Sequence, residues 1–458
     1  MARQSDEDPL GQRSTHGGQP RAEVLAVGSG IAGLCAAIEA GRAGAAVSLL
    51  ASAPPGGRAR TAVSDSGFRL NVGPHALYTD GELHELLAGL GVALGGGPPA
   101  LRGARLRHGG ATCAMPTGVR SLAATGLLTV AGKARFARFL RRLTGTDPAG
   151  LAGTPVSEWL GSAGLDAPGR SLAAALVRLA TYDAHHDEFS ADAALVQLKR
   201  SLRGGVTYID GGWERIVSAL LDEAVALGVR LAEPQRVLEV RTGCVVTKRT
   251  TWNPAAVVLA GLPPEAVGEL VGRPDVALRS GHVVHAAVLD IGTRTPARPT
   301  DAPSGFLLGV DEPLYWSRHS PPADLAPPGT QLYSAMRYLG PGQDPDPDAL
   351  RRELRDHARM AGVEEPSVVH ERYLHRLVVA QGSPTAAGGG LAGRPAVDSL
   401  GVPGVFIAGD WVGPDGLLAD AAAASGRAAG RAAAEHAASR PLPSQRVASR
   451  NGTPEGER

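Results

Sequence analysis

The run AEVLAVGSGIAGLCAAIEAGRAGAAVSLL, residues 22–50, changes its hydrophobic period twice. VLAV is a short apolar strand. GSGIAG is a turn, LCAAIEAGRAG a helix of small residues, and AAVSLL a second strand. That order predicts a βαβ unit. Residues 115–203 carry mostly helical spacing, in SLAATGLL, GKARFARFLRRL, PVSEWLGSAG and RSLAAALVRLA. GGWERIVSALLDEAVALGVRL predicts a helix from Trp213 to about Leu227 and then a strand. RVLEVRTG, AAVVLAG, HVVHAAVLDI, GFLLGV and TQLYSAMRY follow as strands. DALRRELRDHARMAG is an amphipathic helix, GVFIAG a buried strand, and LADAAAASGRAAGRAAAEHAA a second small-residue helix.

These elements divide the chain into interleaved parts. Residues 21–100, 206–272 and 396–438 carry nucleotide-site features. Residues 101–205 form a mainly helical region, and 273–395 a mixed sheet, so a substrate domain is inserted into a discontinuous one. Residues 1–20 and 439–458 are rich in Ser, Gly, Pro and charge and read as tails.

Composition narrows the class. With 458 residues, one small core is not enough. A net charge of +1 offers no global field for nucleic acid. No apolar run is long enough to span a bilayer, and the first residues lack a signal-peptide core. Cys35, Cys113 and Cys244 have neither metal nor redox spacing, which suits a reduced, cytoplasmic protein.

Gly28, Gly30 and Gly33 make a G-x-G-x-x-G turn between strand and helix. The first glycine permits the turn, the second lets backbone approach a pyrophosphate, and the third lets the helix pack on the strand. The helix N-terminus then offers unpaired N–H groups to phosphate. The usual ribose-binding acid, however, is absent: its position holds Ala51. One lost hydrogen bond costs about 0.5–1.5 kcal/mol, which weakens a site with many contacts without abolishing it. Ser52 can substitute in part. Binding of NADP through Arg58 or Arg60, and a site that has lost its cofactor, are the competing readings.

The segments after that turn favour a flavin. PPGGRART (54–61), GFRLNVGPHALY (67–78), YIDGGWERIVSALLDEAVALGVRL (208–231), AAVVLAGLPPEAV (255–267) and GVFIAGDWVGPDGLLADAAAASGRAAG (404–430) occur in order. Together they resemble the flavin amine oxidase and phytoene desaturase superfamily, nearest its bacterial phytoene-dehydrogenase-like branch. The resemblance spans about residues 23–436. It implies a Rossmann-like FAD-binding domain of α/β type with an α+β substrate domain. It implies noncovalent FAD, since no cysteine follows Cys244. Cofactor contacts are implied at Gly28, Ser29, Gly30, Ile31, Ala32 and Gly33 of the turn, and at Ser52, Gly57, Arg58, Val237, Gly409, Asp410 and Leu418. Leu417 and Leu418 stand where amine oxidases carry an aromatic wall residue. The implied substrate is a hydrophobic small molecule whose C–C bond is desaturated or saturated. Amine or amino-acid oxidation and a redox-inactive scaffold are the rivals.

His75 is the candidate for a side chain near the flavin that takes a proton; the competing reading is a histidine that fixes its turn. Trp213, Trp316, Tyr333 and Trp411 are either cavity walls or core. In TYDAHHDEF, His185, His186 and Asp187 lack further ligands at metal spacing, so no metal is expected and the segment reads as a solvated connection. In GKARFARFLRRL, Phe136, Phe139, Leu140 and Leu143 form a stripe among basic residues. Residues 132–144 therefore suit either an anionic membrane surface or a packed domain face.

Overall fold

The computed structural model describes residues 23–439, apart from 275, 277 and 279. Both predicted tails lie outside the described residues, save position 439. Four short, buried, mostly apolar strands and an exposed two-residue edge strand make the first sheet. Its spatial order is Arg230–Leu231, Val47–Leu50, Val24–Val27, Ala256–Ala260 and Val405–Ala408, all parallel. Continuous apolar runs suit strands covered on both faces. Val24–Val27 lies in the middle, and the chain leaves it first to one side and later to the other. That switch point opens a crevice at the strand ends, where the glycine turn sits.

Small residues decide how the covering helices pack. Gly33 of helix Ile31–Arg42 lies so close to the preceding turn that a Cβ there would fall 1.8 Å from the Gly28 carbonyl oxygen. The C-terminal helix Leu418–Ser439 crosses the same helix through Gly426 and Gly430, where a Cβ would fall 2.3 Å from the Ala32 and Ala36 carbonyl oxygens.

A second sheet has seven strands in the order Val368–Ser383, His282–Arg294, Thr330–Leu339, Leu314–Ser320, Phe306–Gly309, Arg105–His108 and Ala111–Ala114. Only the contact between Phe306–Gly309 and Arg105–His108 is parallel. Helix Pro347–Met360 covers one face through Leu350, Leu354 and Ala358. Helices between Val130 and Arg203 cover the other. The hairpin 105–114 thus belongs to this sheet and departs from the expected helical region. In SLAATGLL the helix stops at Ala124, before Gly126.

The basic helix Val130–Gly145 turns its apolar stripe inward. Phe136, Phe139 and Leu143 are buried, and Phe139 meets Trp159 at 5.8 Å. Of the two readings of this stripe, the packed domain face holds for Phe136, Phe139 and Leu143, with Leu140 partly buried beside them. No helix among the described residues is long and apolar enough to cross a membrane. Trp316 stacks on Tyr333 at 4.8 Å, and Trp411 packs in a separate cluster; all three are core.

The helix crossing generates a direct test. Gly426→Ala should lower unfolding stability by about 1–3 kcal/mol, because the new methyl meets backbone that cannot yield. Gly145→Ala, where nothing lies within 4 Å, should be neutral or slightly stabilising in the same thermal melts.

Candidate functional site

The switch-point crevice continues into a cavity of about 310 Å³ between the two sheets. Gly28, Ser29, Gly30, Ile31 and Ala32 line one end. Gly28 adopts φ +108°, a region open to glycine, and its N–H donates to the Leu50 carbonyl at 2.8 Å. No side chain caps the helix at Gly30. Its first-turn N–H groups are therefore left for an anion. Gly56 and Gly57, both at positive φ, bring the next loop against Gly30, so two glycine segments face each other across a slot. Ser52 and Ala51 line the cavity beside them.

The centre of the site is an ion pair between half-buried Arg58 and buried Asp410. Arg58 donates from Nη1 to Asp410 Oδ2 at 2.8 Å and to the Val379 carbonyl at 2.8 Å. The Gln381 backbone N–H donates to the same Asp410 oxygen at 3.0 Å. Asp410 Oδ1 is buried and has no partner among the described residues. A buried carboxylate oxygen without a donor carries a desolvation cost unless a ligand hydroxyl or N–H reaches it. That orphan oxygen, the uncapped helix and the glycine slot together fit a dinucleotide with a polyhydroxy chain, as FAD is. Gly409 and Leu418 complete this wall; Leu418 opens the C-terminal helix at φ +56°, an uncommon conformation for a branched residue.

Two expected contacts fall elsewhere. Gly33 packs helix on strand and does not line the cavity. Val237 lies in the apolar cluster under the hairpin 237–252 and does not line it either. The nearby Gln235 N–H instead donates to the Ala51 carbonyl at 2.9 Å.

The other end of the cavity is walled by His75, Tyr78, Tyr182, Trp213, Met336 and Leu377. His75 Nδ1 lies 3.0 Å from the Gly73 carbonyl, and its ring meets Trp213 edge-on at 4.7 Å. Nδ1 therefore carries the proton and Nε2 keeps its lone pair for the cavity. Burial, with the Arg58 and Arg372 charges, lowers its pKa to about 4 against the Gly73 bond that raises it. Tyr78 and Tyr182 donate their hydroxyls to the Ala180 and Pro74 carbonyls, so they present ring faces. Asp420 also lines this end. Burial raises its pKa to about 6, while Arg200 at 3.1 Å and the Leu83 N–H hold it.

Asn71 was not singled out from sequence, yet it joins three segments. Its Oδ1 accepts from Thr61 Oγ1 at 2.7 Å and from the Trp213 N–H at 3.0 Å. Arg372 bridges Asp290 at 2.9 Å and the Leu70 carbonyl at 3.4 Å, fixing the strand before His75 onto the second sheet. Asn71 depends on Trp213, 142 residues away, and Arg372 on Asp290 and Leu70, 82 and 302 residues away, so no local pattern marks them. The segment TYDAHHDEF departs from its expectation: Asp183 is fully buried and His185 nearly so, which a solvated loop would not be. No cysteine lines the cavity, consistent with FAD held without a cysteinyl bond.

Comparison with known proteins agrees with this geometry. Residues 31–433 match the family described as flavin containing amine oxidoreductase. A putative protoporphyrinogen oxidase from Exiguobacterium sp. 255-15 superposes with a TM-score of 0.68 at 19% identity, over 91% of this chain and 100% of that one. Putrescine oxidase bound to putrescine gives 0.68 at 17% identity, over 91% and 99%. Cyclohexylamine oxidase from Brevibacterium oxydans IH-35A gives 0.62 at 17%, over 91% and 99%. No curated protein matches. The fold is theirs and the cofactor is FAD: the chain belongs to the flavin-containing amine oxidoreductase family.

Proposed function

We propose that the protein is an FAD-dependent oxidoreductase that desaturates, or in reverse saturates, a C–C bond in a hydrophobic small molecule. One observation carries this reading: the cavity offers no unpaired carboxylate. Asp410 is held by Arg58, and Asp420 by Arg200. Met336, Leu377, Leu417 and the tyrosine faces supply apolar wall. An apolar substrate replaces water there at a gain of about 25 cal/mol per Å² buried. A bare ammonium would find no free counter-ion.

FAD supplies the hydride acceptor in the forward direction. The chain's own residues orient the substrate and move the proton. His75 Nε2 takes the proton from the carbon adjacent to the one that loses hydride, and so balances the new double bond. A neutral imidazole is ready for this above its pKa. Arg58 and Asp410 hold each other and the end of strand Val368–Ser383 in place. Ser29, Gly30, Gly57 and Ser52 line the cavity at its glycine-rich end and would hold the phosphates and ribose of FAD.

Amine oxidation is the second reading, favoured by the likeness to putrescine oxidase and cyclohexylamine oxidase. It requires Asp420 to exchange Arg200 for a substrate ammonium. Peroxide release in air, and anaerobic bleaching of the flavin, separate the two. Apolar polyenes and cyclic alkanes or alkenes should bleach it. Bleaching and peroxide release with putrescine or cyclohexylamine, and none with any apolar compound, would sink the first reading.

Two further outcomes follow from the geometry. Because His75 is neutral down to about pH 4, its contribution to rate should stay flat from pH 8 to 5 and fall only as pH approaches 4; a His75→Gln variant should be slower by roughly 10²-fold or more across that plateau. A fall centred near the ordinary histidine value would contradict the buried, neutral base. Ala51→Glu should tighten FAD binding by the worth of one hydrogen bond, about 0.5–1.5 kcal/mol, in titrations of the apoprotein; unchanged or weaker binding would show that the ribose does not lie beside residue 51.

A further inference from the structure

Folding brings His282 to two neighbouring groups, Asp183 and His185, that lie about a hundred residues earlier in the chain. Asp183 follows the cavity residue Tyr182, His185 lies on the same connection, and His282 begins the long strand of the second sheet. Asp183 Oδ1 lies 3.2 Å from His185 Nδ1, and Oδ2 lies 2.8 Å from His282 Nε2. The two imidazoles stack at 4.0 Å with 25° between their planes, so both turn a ring nitrogen to the same carboxylate. One ligand atom from each residue falls within 4.8 Å of the others.

We propose that Asp183, His185 and His282 form a binding site for a divalent transition metal of the zinc type. Three features support it. Asp183 is fully buried, and among the described residues its ion-pair partners are these two histidines alone, with no arginine or lysine. A buried carboxylate needs a cation, and two stacked imidazolium rings would repel each other. A metal between neutral rings removes both costs. The spacing suits it: ligand atoms about 2.0–2.2 Å from tetrahedral zinc sit roughly 3.3 Å from one another. The outer groups suit it too. Ser383 donates to Asp183 Oδ2, and the His185 N–H donates to Oδ1 at 2.7 Å. His282 Nδ1 makes no hydrogen bond, yet Glu188 Oε2 stands 3.5 Å away, placed to orient the ring as carboxylates do behind metal-bound histidines.

Two histidines and one carboxylate leave a fourth position for water. The site fastens the connection 182–190 to strands His282–Arg294 and Val368–Ser383, and so fixes Tyr182, at φ +63°, in the cavity wall. It is independent of the proposed substrate, because none of its three ligands lines the cavity.

Tag-free protein, stripped with chelator and dialysed against zinc chloride, tests the assignment by elemental analysis. The expected result is one zinc per chain. His282→Gln, at the partly exposed edge of the cluster, should lower affinity by roughly 100-fold or more, and Glu188→Gln by about 10–100-fold. Circular dichroism on both variants keeps loss of fold apart from loss of metal. No stoichiometric zinc in the wild type, or zinc that folded His282→Gln and Asp183→Asn retain unchanged, overturns the site.

Discussion

The contact between Arg58 and Asp410 joins everything else. Asp410 ends the last strand of the parallel sheet, Arg58 comes from the loop after the second strand, and Gln381 lies at the end of the longest strand of the other sheet. A carboxylate this buried is stable only while its donors stay in place. Its other oxygen is buried without a partner among the described residues, and Asp410 lines the cavity in which FAD is expected. The same group thus joins the two sheets beside the cavity in which the cofactor is expected.

Around that contact, side-chain size is minimised on one side and polarity on the other. Glycine and alanine let the first and last helices close over the parallel sheet, which brings both helix N-termini toward the crevice. On the substrate side, most polar groups are turned to a protein partner: the tyrosine hydroxyls to carbonyls, Asp420 to Arg200, His75 Nδ1 to Gly73. What remains for a substrate is ring faces, methyl groups and one basic nitrogen, with the unpartnered Trp213 indole N–H buried in the wall. That division between a polar cofactor end and an apolar reaction end is the physical ground for the proposed chemistry.

The parts legible in the sequence are those encoded locally. The glycine turn and its βαβ frame depend on neighbours in the chain, and the structure puts five of the turn's six residues on the cavity. Gly33 serves packing instead, as its place in the motif implies. Val237 packs under its hairpin and off the cavity wall, since the likeness fixes a segment more firmly than a single residue. Strands Leu314–Ser320 and Val368–Ser383 were not read because charged residues interrupt them; Glu371 and Arg372 find partners in Arg351, Arg355 and Asp290 on neighbouring elements. The Asp183 cluster shows the limit most clearly. His185 alone has no metal spacing, and its partner His282 arrives only with the second sheet.

The central claim is that the glycine slot and the Arg58–Asp410 pair hold FAD although Ala51 replaces the ribose acid. The visible spectrum of the purified protein, followed by heat denaturation and identification of the released cofactor, tests it most directly. The account predicts an oxidised-flavin spectrum and released FAD. A colourless protein that neither takes up added FAD nor changes its spectrum on titration would contradict it.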